Sequence, residues 1–205
     1  ERRRMENGRE IYFDNSATTQ VFDSVREIMV ETMTADYGNT SSLHKKGMEA
    51  EQYVRAAREE IAKSLKVKEK EILFTSGGTE SNNLAIIGTA LANRRAGNHI
   101  ITSCIEHASV YNTTAFLEEQ GFSVTYLPVD QMGKIRLDAL EDAIREDTIL
   151  ISVMYVNNEM GAVEPVEEIA QMIKRKKPDI LFHVDAIKAY GKYEIRPKRQ
   201  GIDLL

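Results

Sequence analysis

Glu71-Ile72-Leu73-Phe74-Thr75-Ser76-Gly77-Gly78-Thr79-Glu80-Ser81-Asn82-Asn83 is an apolar run that leads into two glycines, a hydroxyl residue and a helix start. Glycines let main-chain N–H groups approach an anion with no Cβ in the way, and the unpaired amides of a helix's first turn carry partial positive charge. Strand, glycine turn and helix start together predict a phosphate cradle. The same residues also read as a plain strand-to-helix turn, and what decides between the two lies further along the chain.

The 205 residues fit one domain, or one and a fraction, and a hydrophobic content of 42% is enough for a core. A soluble globular protein is expected. No apolar run approaches membrane-spanning length, so no membrane partner is expected. Residues 1–10 form a charged N-terminal segment, open to disorder, with no apolar stretch behind it as a secretory leader would have. The expected compartment is the cytoplasm. The single cysteine, Cys104, cannot make an internal disulfide or a cysteine-rich metal cluster, and beside an apolar strand it is expected to be buried and inert. A net charge of −5, with basic residues scattered among acidic ones, argues against a nucleic-acid partner. The dense run Lys174-Arg175-Lys176-Lys177 reads as a solvated helix end favoured by the dipole.

Short apolar runs at 71–75, 99–102, 123–127, 149–153 and 180–184 alternate with helical patterns at 23–35, 47–65, 81–94, 109–120, 137–145 and 166–176. The alternation predicts an α/β fold, and the continuous rather than alternating apolar character of most runs predicts strands covered on both faces. A mixed, mostly parallel sheet with helices on both sides follows. Val54, Ala57, Ile61 and Leu65 show the spacing of a buried helical stripe, and Pro165 followed by Glu167 and Glu168 marks a helix start. After a loop over 191–197, Ile202-Asp203-Leu204-Leu205 begins another apolar run, which predicts a further strand.

Ligands of open α/β sheets gather at the carboxyl ends of the strands, so the polar residues that follow each run are informative. The first run delivers Gly77-Gly78-Thr79 and the second delivers Glu106-His107. After the fourth come Asn157-Asn158-Glu159, and the fifth closes on Asp185. A phosphate cradle, an imidazole, an amide and a carboxylate suit pyridoxal 5′-phosphate: amides for the phosphate, a flat side chain for the ring, a hydrogen bond to the ring hydroxyl, and an anion beside the pyridine nitrogen. Each residue also has a plainer reading. Asp185 reads as a turn cap, although an acid closing an apolar strand is costly to desolvate without a partner. His107 reads as a structural histidine, and Asn158 as turn chemistry.

Ile11-Tyr12-Phe13-Asp14-Asn15-Ser16-Ala17-Thr18-Thr19, Tyr37-Gly38-Asn39-Thr40-Ser41-Ser42-Leu43-His44, Phe74-Thr75-Ser76-Gly77-Gly78-Thr79-Glu80-Ser81, Glu106-His107, Val156-Asn157-Asn158-Glu159-Met160-Gly161 and His183-Val184-Asp185-Ala186 resemble the cysteine desulfurases, which are class V aminotransferase-type pyridoxal phosphate enzymes. The resemblance runs from Ile11 to Leu205 and covers the first half of a family member. It implies the large domain of the fold-type I transferases, incomplete at its C-terminus, over residues 11–205. It also implies that Gly78 and Thr79 hold the cofactor phosphate, His107 stacks on the ring and assists proton transfer, Asn158 serves the ring hydroxyl side, and Asp185 pairs with the ring nitrogen. A homodimer is implied as well.

Two departures stand out. The family's Ser-Gly-His-Lys segment, whose lysine forms the Schiff base, is absent, as are the sulfur-accepting cysteine and the arginine that grips the substrate carboxylate; Cys104 does not match that cysteine. Where the family has glutamine in His-Val-Asp-Ala-x-Gln, this sequence has Lys188, a tolerated change at the cofactor site or, in a sharper reading, a replacement Schiff-base donor. Thr40 also replaces a proline common in the family. The resemblance implies conversion of L-cysteine to L-alanine, with sulfur passing through an enzyme persulfide to an acceptor protein in iron–sulfur cluster assembly, and inactivity of this chain alone. Two other readings are a noncatalytic association module and another class V member, an aminotransferase or selenocysteine lyase.

Overall fold

A computed structural model describes residues 11–205; the charged segment 1–10 lies outside them. The chain divides into two compact units, one ending at Val54 and one running from Arg55 to Leu205.

In the first unit, helix α1 (Asp23–Thr34) buries none of its residues. The chain then turns back into helix α2 (Lys45–Leu65), which continues into the second unit. Lys46 Nζ donates to the Ala35 carbonyl at 2.8 Å and the Tyr53 hydroxyl donates to Asp36 at 2.8 Å, which ties the turn to the new helix. Gly38 is required at this return, because a Cβ there would stand 2.1 Å from the Lys46 carbonyl oxygen.

The second unit is built on four parallel strands, β1 (His99–Ser103), β2 (Ser123–Leu127), β3 (Thr148–Met154) and β4 (Leu181–Asp185), in the order β2-β1-β3-β4. Helices α3 (Gly78–Ala92), α4 (Ala108–Glu119), α5 (Leu137–Ala143), α6 (Val166–Lys176) and the short α7 (Pro197–Gln200) complete it. Successive strand residues point to opposite faces, so each strand feeds two cores. Ile100 and Leu150 pack with Ile86 and Ala90 of α3 and Val110 and Leu117 of α4. Ile101 and Ile151 pack with Leu140 of α5 and with Ile169 and Ile173 of α6. This double burial is why most of the runs carry apolar residues on both faces. In α6 the buried stripe is Val166, Ile169, Ala170, Met172 and Ile173, with acids in the first turn and bases in the last, as the dipole favours. In the second unit's part of α2, Ala62 and Leu65 are buried while Ala57 is exposed, so the stripe is offset from its predicted spacing. No helix among the described residues is long and apolar enough to cross a membrane.

The strand predicted at 71–75 is not formed. Glu69–Glu71 is a single 3-10 turn, and Ile72 is extended (φ −96°, ψ 121°), but Ile72, Leu73, Phe74 and Thr75 pair with no strand. Leu73 is 69% exposed. Apolar and β-branched residues favour extension, but a strand also needs a neighbour to satisfy its backbone, and none of the four strands pairs with this segment. The run at 202–205 joins the sheet only at one bridge, where Leu204 N donates to Phe182 O and Val184 N donates to Leu204 O.

Two histidines are interior struts. His99 places one ring nitrogen 2.7 Å from Thr148 Oγ1 and the other 2.8 Å from Thr125 Oγ1, clasping β1 to both neighbours. His183 Nδ1 lies 2.8 Å from Ser152 Oγ between β4 and β3. Burial holds His183 down to about 4, and burial followed by nearby Arg145 does the same for His99. The unfolded chain, with ordinary histidines near 6.5, therefore binds more protons between those values, and the stability these residues confer is complete above pH 6.5 and lost as pH falls toward 4. Urea unfolding across that window is expected to show a smaller acid loss in His183→Asn, by roughly 3 kcal/mol from the size of the shift. An acid limb identical to the parent's would contradict the assignment.

Candidate functional site

All strands point the same way, so the loops leaving β1, β3 and β4 share one rim, and the order of the sheet reverses between β1 and β3. That reversal is where open sheets part their loops and form a crevice. A cleft of about 220 Å³ opens there, and Gly78, Thr79, His107, Asn158, Asp185 and Lys188 all line it. The sequence-predicted residues, drawn from four separate loops, are thus brought together.

The α3 start is braced by its own side chains. Glu80 accepts from the Ser76 amide at 2.7 Å and its hydroxyl at 2.5 Å, and these two bonds hold the Glu80 carboxyl below its usual range. Thr75 Oγ1 and Ser81 Oγ meet at 2.7 Å across the turn. A Cβ on Gly78 would lie 1.9 Å from Ile187 Cδ1, so the bare glycine lets the far wall of the cleft close over the helix amides.

His107 is the N-cap of α4, its Nδ1 accepting from the Ser109 amide at 3.1 Å and lying 2.8 Å from Ser109 Oγ. The preceding Glu106 clamps the reversal point: its Oε1 accepts from Ser103 Oγ of β1 at 2.5 Å and from the Met154 amide of β3 at 3.0 Å. Its Oε2 is buried without a hydrogen-bond partner. Burial, with smaller contributions from the Asp185 and Glu164 charges, pushes this carboxyl up to about 8 against the pull of its two hydrogen bonds.

Turn chemistry after β3 falls to Asn157, whose Oδ1 accepts from the Glu159 and Met160 amides at 2.9 and 2.8 Å while Nδ2 donates to Ile105 O at 3.0 Å. Asn158 is left to face the cleft. Asp185, 9% exposed, accepts from the Ile187 amide at 3.0 Å and from Asn82 Nδ2 at 2.9 Å. Both donors are neutral, one a carboxamide and one a backbone amide. Lys188 is half-buried on the turn after β4. Cys104, contrary to expectation, is exposed, because the chain turns outward as soon as β1 ends, and it does not line the cleft.

Sequence reasoning missed Asn82 and Ser109. Asn82, 3% exposed, also donates to Ser109 Oγ at 2.9 Å, which links the histidine and aspartate sides of the cleft. The available signal was an amide on the buried stripe of α3 directly after the glycine turn. Helix-start amides with a threonine hydroxyl, an imidazole, a carboxamide and a buried carboxylate form a set of groups that fits pyridoxal 5′-phosphate.

The class V aminotransferase family pattern matches residues 11–205. A curated relative, cysteine desulfurase IscS of Methanosarcina thermophila, is 51% identical over 195 residues, covering 95% of this chain and 48% of its own. Among solved structures, a NifS-like protein superposes with a TM-score of 0.91 at 41% identity, covering 94% of this chain and 53% of that one. SspA in complex with cysteine gives 0.89 at 42%, covering 94% and 55%. The chain spans about half the length of the curated relatives it matches.

Glu106 gives a pH test independent of any ligand. Its carboxyl stays protonated up to about 8 when folded and ionises near 4.5 when unfolded, so folding stability falls as pH rises between those values. Glu106→Gln, which keeps an acceptor for Ser103 and Met154, is expected to remove that decline in urea-unfolding profiles; a decline of unchanged size would refute it.

Proposed function

We propose, from the premise that this chain belongs to the class V aminotransferase family, that it forms the cofactor-binding half of a cysteine desulfurase that converts L-cysteine to L-alanine and passes the sulfur to a protein acceptor. The convergence of Thr79, His107, Asn158 and Asp185 on one cleft at the strand-order reversal carries this reading. Its substrate class is supported by the cysteine desulfurase relative and by the cysteine-bound SspA structure.

When bound, pyridoxal 5′-phosphate supplies an aldehyde that condenses with amines and a ring that withdraws electrons from the substrate α-carbon. The chain's own residues prepare the place for it. Gly78 and Thr79 present amides and a hydroxyl at the positive end of α3 to a phosphate. The His107 ring offers a flat face, and its Nε2, free of the Ser109 contacts, is the atom that holds or moves a proton in the cleft. Asn158 presents an amide to the hydroxyl side. Asp185, fixed by Asn82 and the Ile187 amide, keeps a proton on the ring nitrogen by charge. In this proposal the Schiff-base lysine and the sulfur-accepting cysteine come from the half of the relatives' length that this chain does not span. A homodimer, delivery of sulfur to iron–sulfur cluster assembly in the cytoplasm, and residues 11–205 as a partial large domain belong to the same reading.

Titration of the purified chain with pyridoxal 5′-phosphate, followed by absorbance, is expected to saturate. Asp185→Ala and Thr79→Ala are each expected to weaken binding about tenfold or more, the scale of one lost charge-assisted hydrogen bond. Equal affinity in parent and variants would refute the site. Incubated alone with L-cysteine, the chain is expected to yield no alanine above a heat-killed control. Adding a polypeptide that corresponds to the relatives' other half should restore alanine formation.

A further inference from the structure

We propose that Asn82 and Ser109 are positioning residues that couple Asp185 to His107, so that the carboxylate on one side of the cleft sets the hydrogen-bond direction of the imidazole on the other. The consequence for chemistry rests on the cofactor reading above, whereas the coupling is a property of the chain itself. Asn82 on α3 and Ser109 on α4 are 3% and 8% exposed, so water does not compete for their bonds. A carboxylate only accepts, and Asn82 Nδ2 lies 2.9 Å from Asp185 Oδ2; the flipped amide would set two acceptors against each other at that distance. Asp185 therefore fixes the amide.

The second proton of the same NH2 group points at Ser109 Oγ, 2.9 Å away. A hydroxyl that receives a proton there has its own proton to give, and His107 Nδ1 lies 2.8 Å from it. The Ser109 amide donates to the same nitrogen at 3.1 Å. With two donors aimed at Nδ1, the ring proton sits on Nε2, the nitrogen that these contacts leave free. Which imidazole nitrogen carries the proton is set by the bonds the other one makes, and here those bonds begin at a carboxylate. The four residues come from α3, the α4 start and the end of β4, so the arrangement belongs to the tertiary fold and not to a local turn.

Imidazole 15N spectra of the labelled 205-residue chain, recorded without cofactor, test the coupling directly. In the parent, His107 is expected as the Nε2–H form with an acceptor-type Nδ1 resonance. Ser109→Ala and Asn82→Leu should both move that Nδ1 resonance in the same direction, although position 82 reaches the histidine only through Ser109, and the double variant should move it no further than either single one. Asn82→Asp, of equal size and with an acceptor where the donor was, gives the same test if Asn82→Leu does not fold. A purely packing role would lower the unfolding midpoint and leave the His107 resonance in place. An unmoved resonance in the Asn82 variants, whatever Ser109→Ala does, would overturn the proposal. Pyridoxal 5′-phosphate affinity should fall about tenfold in Asn82→Leu. Failure of the parent to bind it would count against the proposed function, while the spectra would still decide the coupling.

Discussion

Parallel pairing of β1 with β3 is the constraint on which everything at the rim depends. Because neighbouring strands run the same way, each must be followed by a crossover, and every carboxyl end falls on one edge of the sheet. Because β2 lies on one side of β1 and β3 on the other, the loops that follow β1 and β3 diverge at their shared boundary. Glu106 and Asn157 then stitch this parting from opposite directions, the first reaching the Met154 amide and the second the Ile105 carbonyl. The cleft is therefore open above and tied below.

The sheet can sustain such an opening because its two faces are filled independently. Ile100 and Ile101, or Leu150 and Ile151, are adjacent in sequence and completely buried in different cores. Truncating any of them to alanine would leave a cavity costing roughly 2–5 kcal/mol. The polar residues inside the sheet are matched to one another: His99 with Thr125 and Thr148, His183 with Ser152. Held neutral by burial, these histidines specify strand register at little electrostatic cost and leave the charged groups to the rim.

Much of this was legible in the residues. Four of the five apolar runs are strands within a residue or so of their predicted limits, because burial on both faces leaves apolar residues at neighbouring as well as alternate positions. The polar residues that close those runs were legible for the same reason, since an acid such as Asp185 at the end of an apolar strand stands out. The run at 71–75 misled because composition reports a tendency to extend and says nothing about whether a neighbouring strand is present. Asn82 and Ser109 were not legible because their meaning lies in partners 27 and 103 positions away. The asparagine pair was ambiguous in sequence, and only geometry assigns the turn to Asn157 and the cleft to Asn158.

The exposed thiol of Cys104 has a consequence for the chain in air. It is the sole cysteine and stands on the loop that leads to His107. The 205 residues hold no second cysteine to pair with it, so a protein disulfide formed by this chain alone joins two molecules. Oxidised samples would then contain covalent pairs linked through that loop, which would resemble true association on a sizing column yet vanish on addition of a reductant.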